Sequence, residues 1–255
     1  MSLNKLKNMI PKLIHYCWLS NDPYPKEIQQ YMKSWKEKLP DYEFILWDFK
    51  RFDRSKSLWV EQSFAAKKYA FAADYLRLYA LYHYGGIYLD TDVEVFKSFD
   101  DLLSLPYVVG TEGGGWIEAG ILGSEKGSDW LYDCLAYFEK PFLKPDGSFD
   151  MVTLPQVMNR IISEKRKISV AERDEIFRDA RENYNTNFYL FQKDFFCAKD
   201  MGTGIVTRTS NTYSVHNFAM SWISAKNKFI PNLKRKIISI IGEKPAMMII
   251  NLLKK

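Results

Sequence analysis

The alternation of apolar and polar positions in this chain changes period several times, and each change marks an element. "KLIHYCW" (12–18) is a short apolar run ending at a turn with Pro23 and Pro25, and it predicts a buried strand. "KEIQQYMKSWKEKL" then places Ile28, Met32, Trp35 and Leu39 at steps of three and four, which predicts an amphipathic helix. "YEFILW" (42–47) returns to a strand pattern. Strand, helix and strand joined by short turns form a βαβ unit, which predicts a parallel sheet and an α/β domain.

The stretch 64–86, "FAAKKYAFAADYLRLYALYHYGG", is Ala- and Leu-rich and free of proline. It predicts one long, largely buried helix stopped by Gly85, which suits a left-handed cap, and Gly86. "GIYLD" follows as an apolar strand. Further strands are expected at "VEVF", "YVVGTE", "WIEAGILGS" and "YSVHNF" (213–218), helices over 128–139 and 153–165, and two short basic helices after Pro231.

Composition narrows the class. The chain has 255 residues with 47% hydrophobic and 16% aromatic side chains, enough for a real core and too many for a disordered chain. The net charge of +5 is too modest to imply nucleic-acid binding, and its distribution is uneven. From Lys226 to Lys255 there are eight Lys or Arg against one acid, Glu243, so the basicity lies in the tail. This predicts a domain over 1–225 and a basic amphipathic helical tail over 226–255, suited to an anionic membrane surface. Cys17, Cys134 and Cys197 are odd in number and far apart, which argues against a disulfide framework and fits a reducing compartment. The first residues lack the continuous apolar stretch of a secretory signal, and "AMMIINLL" is too short to span a bilayer. A cytoplasmic protein, peripheral on the inner face of the cell membrane, is the expectation.

The chemistry concentrates in "YGGIYLDTDV" (84–93). Side chains alternate along a strand, so Asp90 and Asp92 are expected on one face, and their charges repel unless a cation or water intervenes. Oxygen ligands at the end of an α/β strand suit a hard divalent ion that completes its shell with waters and substrate phosphates. Upstream, Asp74 and Arg77 share a face of an otherwise apolar helix, and buried charges require partners. As a bare pattern, "GIYLDTDVEV" also fits a haloacid dehalogenase-like phosphatase with Asp90 as nucleophile and Asp92 as acid/base. The basic tail by itself is also compatible with a non-catalytic membrane-binding protein. His15 and His83 lack ligand-like spacing and read as structural.

The segment "AAD-YLRLYALYHYGGIYLDTDV" resembles the D-x-D segment of glycosyltransferase family 32. "IPKLIHYCWLSNDPYP" and "SVHNFAMSW" resemble that family's first-strand and C-terminal motifs, in the same order. The resemblance implies a GT-A-type, Rossmann-like mixed sheet, a nucleotide-sugar donor with UDP-sugar favoured, Mn2+ or Mg2+, and retention of anomeric configuration. It also implies a glycan or lipid-linked glycan acceptor in surface polysaccharide or capsule synthesis. By position, Asp92 would ligate the metal and Asp90 would contact donor ribose or metal-bound water, the two forming the catalytic pair. Asp74 and Arg77 would hold the donor, His216 would approach the metal, Ser221 and Trp222 would close over the diphosphate, and Trp18 would lie near the base. Glu112 and Glu118 are both candidates for sugar contacts, and nothing in the sequence selects between them. "MVTLPQVMN" departs from the family, with Leu154 before Pro155 where a Gly-Pro element is usual.

Overall fold

The structure is a computed structural model, and it describes residues 9–20 and 22–219 together with five isolated positions, 233, 235, 238, 242 and 245. The expected βαβ unit is present as β1 (Leu13–Cys17), α1 (Lys26–Lys38) and β2 (Glu43–Trp47). β1 and β2 pair in parallel from Leu13↔Glu43 to Cys17↔Trp47. On α1, Trp35 is fully buried and its indole N–H donates to the Val93 carbonyl at 2.7 Å, so the apolar stripe read from the sequence is the packing face.

The predicted long helix over 64–86 is instead two helices, α2 (Leu58–Ala65) and α3 (Tyr69–Tyr84). Ser57 caps α2, its hydroxyl accepting the Val60 N–H at 3.3 Å. The helix ends in paired reverse bonds, Lys68 N–H to Ser63 O at 2.8 Å and Lys67 N–H to Phe64 O at 2.9 Å, with Lys67 at φ 57°. That is a Schellman stop with lysine where glycine is usual, so no local sequence signal announced it.

After α3 come β3 (Gly86–Leu89), β4 (Val93–Val95), the antiparallel hairpin β5 (Tyr107–Gly113) and β6 (Trp116–Ser124), then α4 (Asp129–Ala136) and α5 (Leu154–Ser163). α5 starts with a capping box between Thr153 and Gln156, with Pro155 in its first turn. β7 (Lys167–Ala171), α6 (Arg173–Asp179), β8 (Asn187–Phe191) and α7 (Lys193–Phe196) follow, and β9 (Ser214–His216) closes the described order.

Seven strands form one sheet in the order β2-β1-β3-β6-β5-β8-β7. Only β6 runs against its neighbours, so the sheet is mixed but largely parallel. Helices cover both faces, each over its own apolar cluster. Ile87 and Leu89 of β3 enter one cluster with Trp35, while Tyr88 enters the other with Trp59 and Leu76, as strand alternation requires. β4 and β9 do not join this sheet. They pair with each other, antiparallel, with Val93 opposite His216.

The two glycines do stop α3, but not through a left-handed α cap. Gly85 adopts φ 69° with ψ −172°, a region open essentially to glycine alone. A Cβ there would lie 2.9 Å from both the Lys126 nitrogen and the Pro11 ring, and one on Gly86 would lie 2.8 Å from Leu13 O. The chain can therefore reverse tightly from α3 into β3 against β1. Gly85→Ala should lower stability by about 2–3 kcal/mol, read from the midpoint of chemical denaturation; a cost under about 0.5 kcal/mol would show that this reversal is not constrained.

Candidate active site

β3 carries the acidic motif to the C-terminal edge of the sheet, and a turn closed by Val93 N–H to Asp90 O at 3.0 Å follows it. Tyr88 and Asp90 share a strand face, and the Tyr88 hydroxyl donates to Asp90 Oδ1 at 2.9 Å. Arg77 reaches the same carboxylate from α3, with Nη2 3.1 Å from Oδ1 and Nη1 3.3 Å from Oδ2. Its Nη2 also meets Asp74 Oδ1 at 3.1 Å, and its Nη1 donates to the Ala119 carbonyl at 2.6 Å. The guanidinium lies over the Tyr88 ring, 4.6 Å from its centroid.

Arg77 is buried and serves Asp74 and Asp90 as a counter-charge, as a buried guanidinium requires, while its Nε has no hydrogen-bond partner among the described residues. Burial raises Asp74 to about 6 against the pull of Arg77, and it raises Asp90 as well. Arg77 itself is raised despite burial, because Asp90, Tyr88 and Asp74 surround it.

Asp92 is engaged by the late segment. His216 Nε2 lies 3.3 Å from Asp92 Oδ1, and the Ala219 N–H donates to Asp92 Oδ2 at 2.6 Å. Asn217 N–H donates to the Asp92 carbonyl at 3.0 Å. Phe218 between them takes φ 52°, a strained value for a non-glycine residue, and this turn aims the Ala219 amide at the carboxylate. Behind the imidazole, His216 Nδ1–H donates to Glu118 Oε1 at 2.8 Å, and Glu118 also accepts from Gly120 N–H at 2.6 Å and from the Cys197 thiol at 3.4 Å.

Burial opposes charge on His216, but Glu118 and Asp92 on either side hold it well above the ordinary histidine value. Burial likewise opposes charge on Asp92, yet His216 and the Ala219 amide push its carboxyl down to about 2.

Asp90, Asp92 and His216 converge, with one ligand atom from each lying within 4.8 Å of the others. Two carboxylates and one imidazole suit a divalent cation. The fit extends outward, since Glu118 takes the Nδ1 proton and leaves Nε2 turned toward Asp92, the carboxylate–histidine arrangement that supports metal ligands. Of the two glutamates, Glu118 is the one hydrogen-bonded to His216. Only tertiary structure reveals this, because 98 residues separate the pair.

Other expected residues fall elsewhere. Trp18 follows β1 at the same sheet edge, its N–H donating to Asp22 O at 2.9 Å and its ring packed 4.7 Å from that of Tyr24. Ser221 and Trp222 lie outside the described residues. His15 is structural as expected: it accepts from Trp47 Nε1 at 3.0 Å and donates to Gly85 O at 2.8 Å, and burial lowers it to about 4. Two surface concavities of about 430 and 480 Å3, beside Lys193 and Trp116, are lined by none of the trio. Chemistry, not concavity, marks the site.

Comparison with known proteins bears on the same segment. Residues 25–108 match a family model described as a glycosyltransferase sugar-binding region containing a DXD motif. Among its relatives, Inositol phosphoceramide mannosyltransferase 3 of Schizosaccharomyces pombe is 34% identical over 126 residues, covering 48% of this chain and 35% of that protein. Mannosyl phosphorylinositol ceramide synthase SUR1 of Saccharomyces cerevisiae is 33% identical over 106 residues, covering 38% of this chain and 26% of that protein. The matches thus span about a third or less of these curated relatives. The solved structure of PaToxG Glycosyltransferase superposes with a TM-score of 0.48 at 20% identity over 62% of this chain and 69% of that one, a distant likeness.

Glu118→Gln removes the charge behind His216 while keeping an acceptor. Mn2+ affinity measured by calorimetry should fall about 10-fold, and unchanged affinity would remove Glu118 from the site.

Proposed function

We propose that this protein is a metal-dependent glycosyltransferase, moving a hexosyl group from a nucleotide-diphosphate sugar to a hydroxyl of a glycan or lipid-linked acceptor with retention of configuration. The observation that carries this reading is the Asp90, Asp92 and His216 cluster, backed by Glu118, with both aspartates inside the segment 25–108 that matches the DXD family model. The imidazole among the donors favours Mn2+ over Mg2+. The relatives, an inositol phosphoceramide mannosyltransferase and a mannosyl phosphorylinositol ceramide synthase, support a lipid-linked polar acceptor and add mannose to the sugars to test. UDP-sugars remain the first donors to try, with GDP-sugars beside them.

Asp92 and His216 would hold the cation, which when bound would offset the negative charge that develops on the departing nucleoside diphosphate. Arg77 and Tyr88 fix Asp90, which then accepts from the donor ribose or orients water at the cation. Asp74 retains slight exposure, 13% of its side chain, which supports a role in accepting from a donor sugar hydroxyl. The Ala219 amide is spent on Asp92, so contacts to the diphosphate come from other groups. The family resemblance implies that Ser221 and Trp222 would close over the diphosphate.

The phosphatase reading fares worse. Its motif lies inside residues 25–108, the segment that matches a sugar-transferase family model.

A panel of UDP- and GDP-hexoses, scored by Mn2+-dependent thermal stabilisation and then by slow donor hydrolysis, tests the function. Asp92→Asn should abolish Mn2+-dependent turnover, at least 100-fold down, in a protein that stays folded by circular dichroism; full activity in that variant would sink the assignment.

A lipid-linked acceptor agrees with a protein at the inner membrane face, held by the basic tail. No helix among the described residues is long and apolar enough to cross a membrane. Replacing Lys234, Lys236 and Lys244 by Gln should weaken sedimentation with vesicles containing phosphatidylserine, each lysine contributing about 1 kcal/mol; unchanged binding would detach the tail from this role.

A further inference from the structure

One cation beside the trio has no part in the chemistry above. Lys199 lies just beyond α7, where it bridges to Val206, and its side chain is half-buried. Its ammonium donates to Asn217 Oδ1 at 3.1 Å. Asn217 is the residue after His216, and its own amide donates to the Asp92 carbonyl. Lys199 is therefore anchored one residue from a candidate metal ligand. Among the described residues, no carboxylate lies within 4.0 Å of its ammonium.

A second cation stands close by. Arg235 is also half-buried, and its Nε and Nη2 donate to the Met201 carbonyl at 3.0 and 2.5 Å. Burial first, and the Arg235 charge next, hold Lys199 below the ordinary lysine value, with Asp92, Glu27 and Glu94 pulling the other way. Lys199 and Arg235 both dock on neutral oxygens, and the carboxylates that act on them, Asp92, Glu27 and Glu94 on Lys199 and Asp200 on Arg235, do so from beyond ion-pair distance, which favours an anion in direct contact. A merely solvated lysine would extend into water and would have no reason to dock on Asn217. An ammonium carries three N–H donors and Asn217 takes one, so two remain for a ligand.

We propose that Lys199, backed by Arg235, forms a phosphate subsite that binds the diphosphate of the nucleotide-sugar donor beside the cation at Asp92 and His216. This rests on the transferase reading and gives it a residue that sequence motifs did not identify. In the transfer, the bond from the anomeric carbon to the diphosphate oxygen breaks and its electron pair stays on that oxygen. A new bond forms from the anomeric carbon to the acceptor oxygen, and the acceptor's hydroxyl proton passes to the departing diphosphate. Lys199 lies where the added charge accumulates.

The test uses the full chain and calorimetry with Mn2+ alone, then with UDP and with GDP at saturating Mn2+, and with uridine and guanosine as phosphate-free controls. In Lys199→Met, affinity for whichever diphosphate the unaltered protein binds should fall about 10-fold or more, while Mn2+ affinity, nucleoside affinity and thermal midpoint stay unchanged. Lys199→Arg should restore most of the loss. Equal diphosphate affinity in Lys199→Met overturns the subsite and leaves the transferase reading standing. A parallel loss of Mn2+ affinity or of thermal stability also overturns it, since that is the mark of a structural role. Absence of Mn2+-dependent binding of either diphosphate to the unaltered protein overturns the transferase reading and the subsite together.

Discussion

The site depends on one hydrogen-bonded chain, Glu118 to His216 to Asp92, that ties three distant stretches of sequence together. Two buried carboxylates flank a single imidazole, an arrangement that low dielectric makes costly unless every proton and lone pair is placed. The surrounding structure places them. β6 delivers Glu118 by running against its neighbours, β9 delivers His216 by pairing with β4, and the strained turn at Phe218 turns the Ala219 amide back onto Asp92. Each oxygen used up in this way leaves Asp92 Oδ1 and His216 Nε2 facing each other, where a cation belongs.

A second buried charge, Arg77, holds the other half of the site. It joins Asp74 on its own helix to Asp90 at the end of β3 and to the Ala119 carbonyl on β6, so helix and sheet are locked in register by one guanidinium. Two acids and one base in a dry setting leave a net negative charge, which matches the need for an external cation. The motif's two aspartates are therefore different: Asp90 is braced from within the fold, and Asp92 is oriented by the late segment. A strand face shared by i and i+2 residues cannot express that difference, because alternation fixes direction and not partners.

Much of the frame was legible locally. The βαβ start followed from a three-to-four periodicity between two apolar runs, and the paired glycines announced the stop of α3, although Gly85 adopts an extended backbone with positive φ and not the left-handed helical one. The break at Lys67 was invisible, since lysine in a left-handed stop carries no compositional sign. β7 and β8 were also missed. They are five-residue runs whose strand character comes from pairing with each other and with β5. "VEVF" and "YSVHNF" were read correctly as strands, but nothing in either showed that they would leave the main sheet and pair together.

By itself the sequence determined what neighbouring residues impose on each other: where an apolar face lies, where only glycine can turn, and that two acids two residues apart crowd their charges. It also carried a family pattern that pointed to Asp74, Arg77, Asp90, Asp92 and His216 as one set. Tertiary structure alone decided which partners each charge meets. Arg77 became a brace, Glu118 became the histidine's partner, and Lys199 came to rest beside Asn217. The reason is physical. The role of a charge is set by the dielectric around it and by which opposite charges and dipoles lie within a few ångströms, and those neighbours come from strands far apart in the chain that meet only when the sheet is assembled.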